Sequence, residues 1–157
     1  MNHRRPNRLK THDYALAGQY FVTFCVMDHR CVFGRVRDGQ MIRNRHGGIA
    51  FDQFHWLSGH YAFVDVDVFV VMPNHVHAII ELWPKGGNRA PLTLSQLVGA
   101  YKTRVSTMIR KQGLPSFAWQ RSFHDHVISH IHGYQHIVSY IHNNPAEWHR
   151  DRFFSNG

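Results

Sequence analysis

Residues 68–82, reading Val-Phe-Val-Val-Met-Pro-Asn-His-Val-His-Ala-Ile-Ile-Glu-Leu, constrain the fold more tightly than any other stretch of the chain. A Pro-Asn pair between two runs rich in Val and Ile predicts two antiparallel strands joined by a tight turn, the second leaving the turn at His75. Side chains alternate across a strand, so His75 and His77 share one face with Ile79 and Glu81, while Val76, Ala78, Ile80 and Leu82 take the other. Neutral imidazole is the commonest protein ligand for metals, and two of them leave coordination positions open for a substrate. The competing reading is a His-rich, half-exposed strand that binds nothing. Fifteen His in 157 residues give about one or two His-x-His pairs by chance, and three occur, at His75/His77, His124/His126 and His130/His132. The first is set apart by its apolar strand and its Met72-Pro73-Asn74 entry.

A chain of 157 residues fits one domain spanning 1–157, long enough to bury a core without disulfides. Cys25 and Cys31 are the only cysteines, at a spacing that matches no zinc or redox motif, and read as two reduced thiols. No apolar run reaches membrane-spanning length, and the basic, polar start lacks the apolar core of a secretory signal. Eighteen Lys and Arg against ten Asp and Glu leave a formal charge of +8, which favours a polyanionic partner. Residues 1–12, with Arg4, Arg5 and Arg8, read as a flexible basic arm or a solvated tail.

Residues 19–26 form the first candidate strand, and Asp38-Gly39 joins a short hairpin between residues 31–36 and 40–42. A helix follows over 46–60. Residues 63–70 alternate, which predicts valines on one face and Asp65 with Asp67 on the opposite one. Thr93 and Gln96 have the form of a capping box, opening a helix whose apolar stripe is Leu94, Leu97, Val98, Tyr101, Val105, Met108 and Ile109. Its other side carries Lys102 and Arg104. Residues 117–128 are a strand candidate holding Trp119, Arg121 and the His124-Asp125-His126 cluster, which has the makings of a second metal site or a nucleic-acid-facing surface. In the last helix, Tyr134, Ile137, Val138 and Ile141 make the stripe, and Tyr140 and Asn144 lie one turn apart on its shoulder. Pro145 disfavours helical geometry at Asn144.

Three ordered motifs now stand together: Val70-Val71-Met72-Pro73-Asn74-His75-Val76-His77, Trp119-Gln120-Arg121-Ser122-Phe123-His124-Asp125-His126 and Tyr140-Ile141-His142-Asn143-Asn144-Pro145. With Arg4-Arg5-Pro6-Asn7-Arg8-Leu9 and Gly18-Gln19-Tyr20-Phe21-Val22-Thr23, they resemble the HUH single-tyrosine transposases, and among these the REP-associated tyrosine transposases of bacteria. The resemblance implies an α+β, ferredoxin-like domain with a central antiparallel sheet, a metal site at His75 and His77, and Tyr140 as nucleophile. The family's third ligand, a polar side chain on the tyrosine helix, falls at Asn144, and the implied ion is Mg²⁺ or Mn²⁺.

The implied activity is metal-dependent cleavage and rejoining of single-stranded DNA beside a hairpin of the repetitive extragenic palindrome type, through a 5′-phosphotyrosine. Arg4, Arg5, Arg8, Lys102, Arg104, Trp119 and Arg121 become the candidate DNA contacts. A cytoplasmic, nucleoid-associated bacterial protein, monomeric or homodimeric and without a membrane partner, is the corresponding expectation. Two rivals stand beside it: an inactive nucleic-acid-binding module of the same fold, and a His-x-His phosphoesterase without a covalent tyrosine. The histidine-triad form of the latter wants a third His where Ile79 stands.

Overall fold

The computed structural model describes residues 12–157. Arg4, Arg5 and Arg8 lie outside the described residues, whereas His12, expected to end the arm, has its Nε2 3.0 Å from the Tyr20 hydroxyl. The described elements run β1 (Gly18–Cys25), β2 (Gly34–Arg37), β3 (Gln40–Arg43), α1 (Arg45–His60), β4 (Val64–Val71), β5 (His75–Leu82), α2 (Leu94–Lys111), β6 (His124–Ile128) and α3 (Ile131–Asn143).

Local chemistry sets these boundaries. Asp38 and Gly39 both take left-handed backbone angles, as a two-residue turn between β2 and β3 requires. Asn44 caps α1 by accepting from the Gly47 amide at 2.9 Å. Thr93 and Gln96 form the expected reciprocal capping box on α2. The His130 imidazole starts α3 by accepting from the Gly133 amide at 3.1 Å.

Four strands make one antiparallel sheet in the order β4-β5-β1-β6, and β2 with β3 form a separate hairpin. Without that hairpin and α3, the β-α-β-β-α-β succession and this strand order are ferredoxin-like, as expected. One face of the sheet carries the main core. Tyr20, Val22 and Phe24 of β1 and Val76, Ala78, Ile80 and Leu82 of β5 meet Ala50, Phe54 and Leu57 of α1 and Leu94, Leu97, Tyr101 and Val105 of α2 there. The other face holds a smaller cluster, in which Ile79, Phe21, Val68 and Val70 pack under Tyr134, Ile137, Val138 and Ile141 of α3.

Three expectations need correction. The valines of β4 do not share a face, because the pairing with β5 shifts register between Asp65 and Val68. A β-bulge inverts the alternation beyond it, so Val64 and Val66 join the main core while Val68 and Val70 turn to the α3 side. Residues 117–128 do not form one strand either. Trp119 pairs with Val26 only as an isolated bridge, Ser122 turns left-handed, and regular pairing begins at His124. Lys102 is the local cause, since its ammonium gathers the carbonyls of Gln120 and Ser122. Finally, Met108 is 37% exposed and lies off the α2 stripe.

Candidate metal and tyrosine centre

His75 opens β5 immediately after the Pro73-Asn74 turn, and its alternation with His77 puts both on one face, as predicted; that face, with Ile79, is the one α3 covers. Both are buried rather than half-exposed, at 0% and 2% of their surface. Each outer nitrogen has a polar neighbour, and at His75 that neighbour fixes the tautomer. The Asn74 amide donates to the carbonyls of His29 at 3.1 Å and Phe153 at 2.7 Å, which leaves its Oδ1 facing His75 Nδ1 at 2.8 Å. That oxygen can only accept, so Nδ1 carries the hydrogen and Nε2 offers its lone pair inward. His77 Nδ1 stands 2.7 Å from the Thr23 hydroxyl, across the β1–β5 pairing.

The two inner Nε2 atoms are 3.1 Å apart. Burial, with smaller contributions from the His29 and Arg152 charges and an opposing one from the Asn144 amide, pulls His75 down to about 3. Burial also lowers His77 well below its ordinary value, with His75 and Arg152 adding to it. Both imidazoles are therefore neutral at pH 7, the form that ligates a metal.

From the α3 side, the Tyr140 ring lies 5.3 Å from the His77 ring and 6.1 Å, edge-on, from Phe21. Tyr140 is 43% exposed, so the residue beside the buried histidines is open to solvent. A recess of about 300 Å³ opens beside it, lined by His136, Ser139, Asn143, Asn144 and Glu147. Burial and the Asp151 carboxylate push the Tyr140 phenol above its usual value, against smaller pulls from the Asn144 amide and Arg152. Asn144 keeps helical angles despite the proline after it, so its side chain holds the α3 register and turns inward, 4% exposed. The expected departure from helical geometry does not occur.

Two oxygens at this centre are buried without a hydrogen-bond partner: Asn144 Oδ1 and Asp151 Oδ2. Leaving such groups unsatisfied costs about 1–3 kcal/mol each. Asp151 Oδ2 lies 3.6 Å from His75 Nε2, and one ligating atom from each of His75, His77 and Asp151 falls within 4.8 Å of the others. Two inward imidazole nitrogens facing desolvated oxygens fit a divalent cation.

The remaining candidates are spread more widely. Arg121 is exposed, beside a recess of about 320 Å³ formed with Met27, Asp28 and Gln120. Trp119 is only 8% exposed and packs among Phe24, Phe33, Tyr101 and Phe117, with its indole donating to the Lys102 carbonyl at 3.2 Å. Arg104 donates to Gln53 at 2.8 Å and lies 4.0 Å over the Trp56 ring of α1, on the sheet face away from Tyr140. His124 and His126 pair with Thr23 and Phe21 on the tyrosine face, whereas Asp125 pairs with Val22 on the other, so the three do not form one cluster.

Thr23, Asp151 and Arg152 went unnoticed in the sequence. Arg152 is exposed, and its positive charge bears on His75, His77, His124 and Tyr140. Among the described residues, no helix is long and apolar enough to cross a membrane.

Comparison with known proteins agrees with this geometry. Residues 52–144, which include both histidines, Tyr140 and Asn144, match the IS200-like transposase family. An uncharacterised protein of Haemophilus influenzae is 34% identical over 98% of this chain and 94% of its own length. The structure of a REP-associated tyrosine transposase bound to a REP hairpin superposes with a TM-score of 0.61 at 20% identity, covering 96% of this chain and 92% of that one. A Deinococcus radiodurans protein assigned as a transposase gives 0.55 at 17% identity, covering 87% and 97%. With a family match across more than half its length, and with the His pair and the helical tyrosine inside that match, the chain belongs to the IS200-like transposases.

Proposed function

We propose that this protein cuts and rejoins single-stranded DNA beside a hairpin, using Tyr140 as nucleophile and Mg²⁺ or Mn²⁺ held by His75, His77 and Asn144. One convergence carries the reading: a half-exposed tyrosine stands over two buried neutral imidazoles whose inner nitrogens face unpartnered oxygens, all within one chain. The hairpin part draws on the superposed transposase, which is bound to one.

When bound, the cation supplies positive charge to the scissile phosphate. The chain's own groups do the rest. Asn74 holds His75 so that its inner nitrogen stays available, and Thr23 orients the His77 ring. Phe21 and His77 flank the Tyr140 ring and fix its approach. The phenol is a weak nucleophile until its proton leaves to solvent, and positive charge brought beside Tyr140 would oppose the burial that raises its value. The phenolate oxygen then bonds to phosphorus as the bond from phosphorus to the 3′ oxygen breaks. That oxygen takes up a proton and leaves as a 3′-OH, with the 5′ phosphate on Tyr140. Rejoining is the reverse step, so no outside energy source is needed.

Arg152 and Arg121 are the exposed cations placed to meet the backbone of the DNA. Lys102 and Trp119 act through the 119–122 segment they anchor, and Arg104 with Arg4, Arg5 and Arg8 adds general positive charge. A protein of this kind works on cytoplasmic, nucleoid DNA. The test is denaturing electrophoresis with labelled single-stranded hairpins drawn from the repeated palindromes of the source genome, with and without Mn²⁺. Wild type gives a metal-dependent protein–DNA adduct and Tyr140→Phe gives none. Cleavage without an adduct points to a phosphoesterase, and binding with neither points to a DNA-binding module.

A further inference from the structure

The family match ends at residue 144, yet the chain continues across the site it has just completed. Trp148, 8% exposed, has its ring 6.0 Å from that of His75. Phe153 lies 4.8 Å from the His75 ring and stacks on His29 at 5.5 Å. Asn74, the residue that orients His75, also holds the Phe153 carbonyl at 2.7 Å. One amide thus fixes both the first imidazole and the returning segment. Between these anchors sits Asp151, its side chain 3% exposed. Asp151 Oδ1 accepts from the Phe153 amide at 2.7 Å, while Oδ2 points at His75 Nε2 and has no hydrogen-bond partner.

We infer that Asp151 is a metal ligand, so that residues 148–153 are part of the metal site, delivering a carboxylate from beyond the tyrosine helix. The inference deepens the function proposed above and rests on its metal reading. Donor spacing supports it. Ligands about 2.1 Å from one ion lie roughly 3.0–3.4 Å from one another, depending on coordination geometry. The inner nitrogens of His75 and His77 are separated by 3.1 Å, and Asp151 Oδ2 lies 3.6 Å from the first of them. Charge supports it too. Two neutral imidazoles and an amide carry no charge, so Asp151 is the only anionic donor of the set. A carboxylate oxygen shifts the preference of a two-imidazole site toward Mg²⁺ and Mn²⁺. A carboxylate oxygen buried against an imidazole lone pair is costly unless a cation lies between them.

The test measures Mn²⁺ binding to the full chain without DNA, by titration calorimetry and electron paramagnetic resonance, so that activity is not the readout. Asp151→Asn keeps the acceptor for the Phe153 amide and removes the charge. It should weaken Mn²⁺ binding about tenfold or more, with an unchanged circular dichroism spectrum. Asp151→Cys should show a thiolate–Cd²⁺ charge-transfer band that wild type lacks, which no structural role produces. Mn²⁺ affinity within twofold of wild type in folded Asp151→Asn, or no new band in Asp151→Cys, overturns the assignment. His77→Ala separates this from the underlying reading. Loss of binding there alongside an intact Asp151→Asn removes only Asp151, whereas no Mn²⁺ uptake by wild type removes the metal site altogether.

Discussion

The two faces of the sheet are built from the same strands and do different work. On the helix side, alternate residues of β1 and β5 close a large aromatic and aliphatic core against α1 and α2. On the tyrosine side, the same strands bury two histidines and a threonine beside only a small apolar cluster, and Asn144 at the end of α3 is buried with them. Buried polar groups cost stability unless each finds a partner. The comparison teaches that the helix side stabilises the fold strongly enough for the other face to be given over to chemistry.

The largest expected effect tests that division directly. Phe24→Ala removes a fully buried ring that touches Phe54, Tyr101 and Trp119, and should cost about 3–5 kcal/mol in denaturant unfolding. Ile137→Ala, in the tyrosine-side cluster at 8% exposure, should cost about 2 kcal/mol, at the low end for such a truncation. Equal losses would mean that the faces share the load.

Acid sharpens the same contrast. His75 titrates near 3 in the folded chain against 6.5 without the fold, so below pH 6.5 only the unfolded chain takes up the proton. Stability from this residue is therefore complete above pH 6.5 and lost as pH falls toward 3, by about 2 kcal/mol at pH 5. His77 acts in the same direction. Metal-free unfolding curves at pH 7 and 5 should differ by about that much more in wild type than in His75→Gln, and an identical pH dependence would contradict neutral, buried imidazoles.

The His strand was legible because period-two alternation is local and Pro73-Asn74 fixes where it starts. Helical spacing put Tyr140 and Asn144 on one shoulder of α3, and only the family resemblance gave them roles. What escaped depends on contacts distant in the chain. The bulge at 65–68 leaves no mark on an unbroken run of alternating valines. The covered indole of Trp119 and the bonded ammonium of Lys102 were invisible too, because both depend on partners that composition does not show. Asp151 and Arg152 sit in a short charged segment without periodicity, and it is Asn74, far back in the chain, that brings them to the site by holding Phe153. Thr23 lies on β1 and gains a role only through its pairing with His77. By contrast, the sequence leaves open which chain's histidines Tyr140 meets, and the fold brings its ring to 5.3 Å from that of its own His77.

Two smaller effects probe the tyrosine side alone. Thr23→Val keeps the shape but removes the oxygen beside His77 Nδ1, and should weaken Mn²⁺ binding about tenfold with little change in stability. Unaltered affinity would take Thr23 out of the site. Arg152→Ala should weaken hairpin binding modestly and reduce the slope of log affinity against log salt by about one. An unchanged slope would move the DNA away from this cation.

The central claim is that Tyr140 becomes covalently joined to DNA, and it is tested most directly by digesting the captured adduct and locating the nucleotide by tandem mass spectrometry. The account predicts a phosphodiester on Tyr140, in the peptide that also contains Tyr134. A nucleotide on Tyr134, or on any residue outside α3, would contradict it.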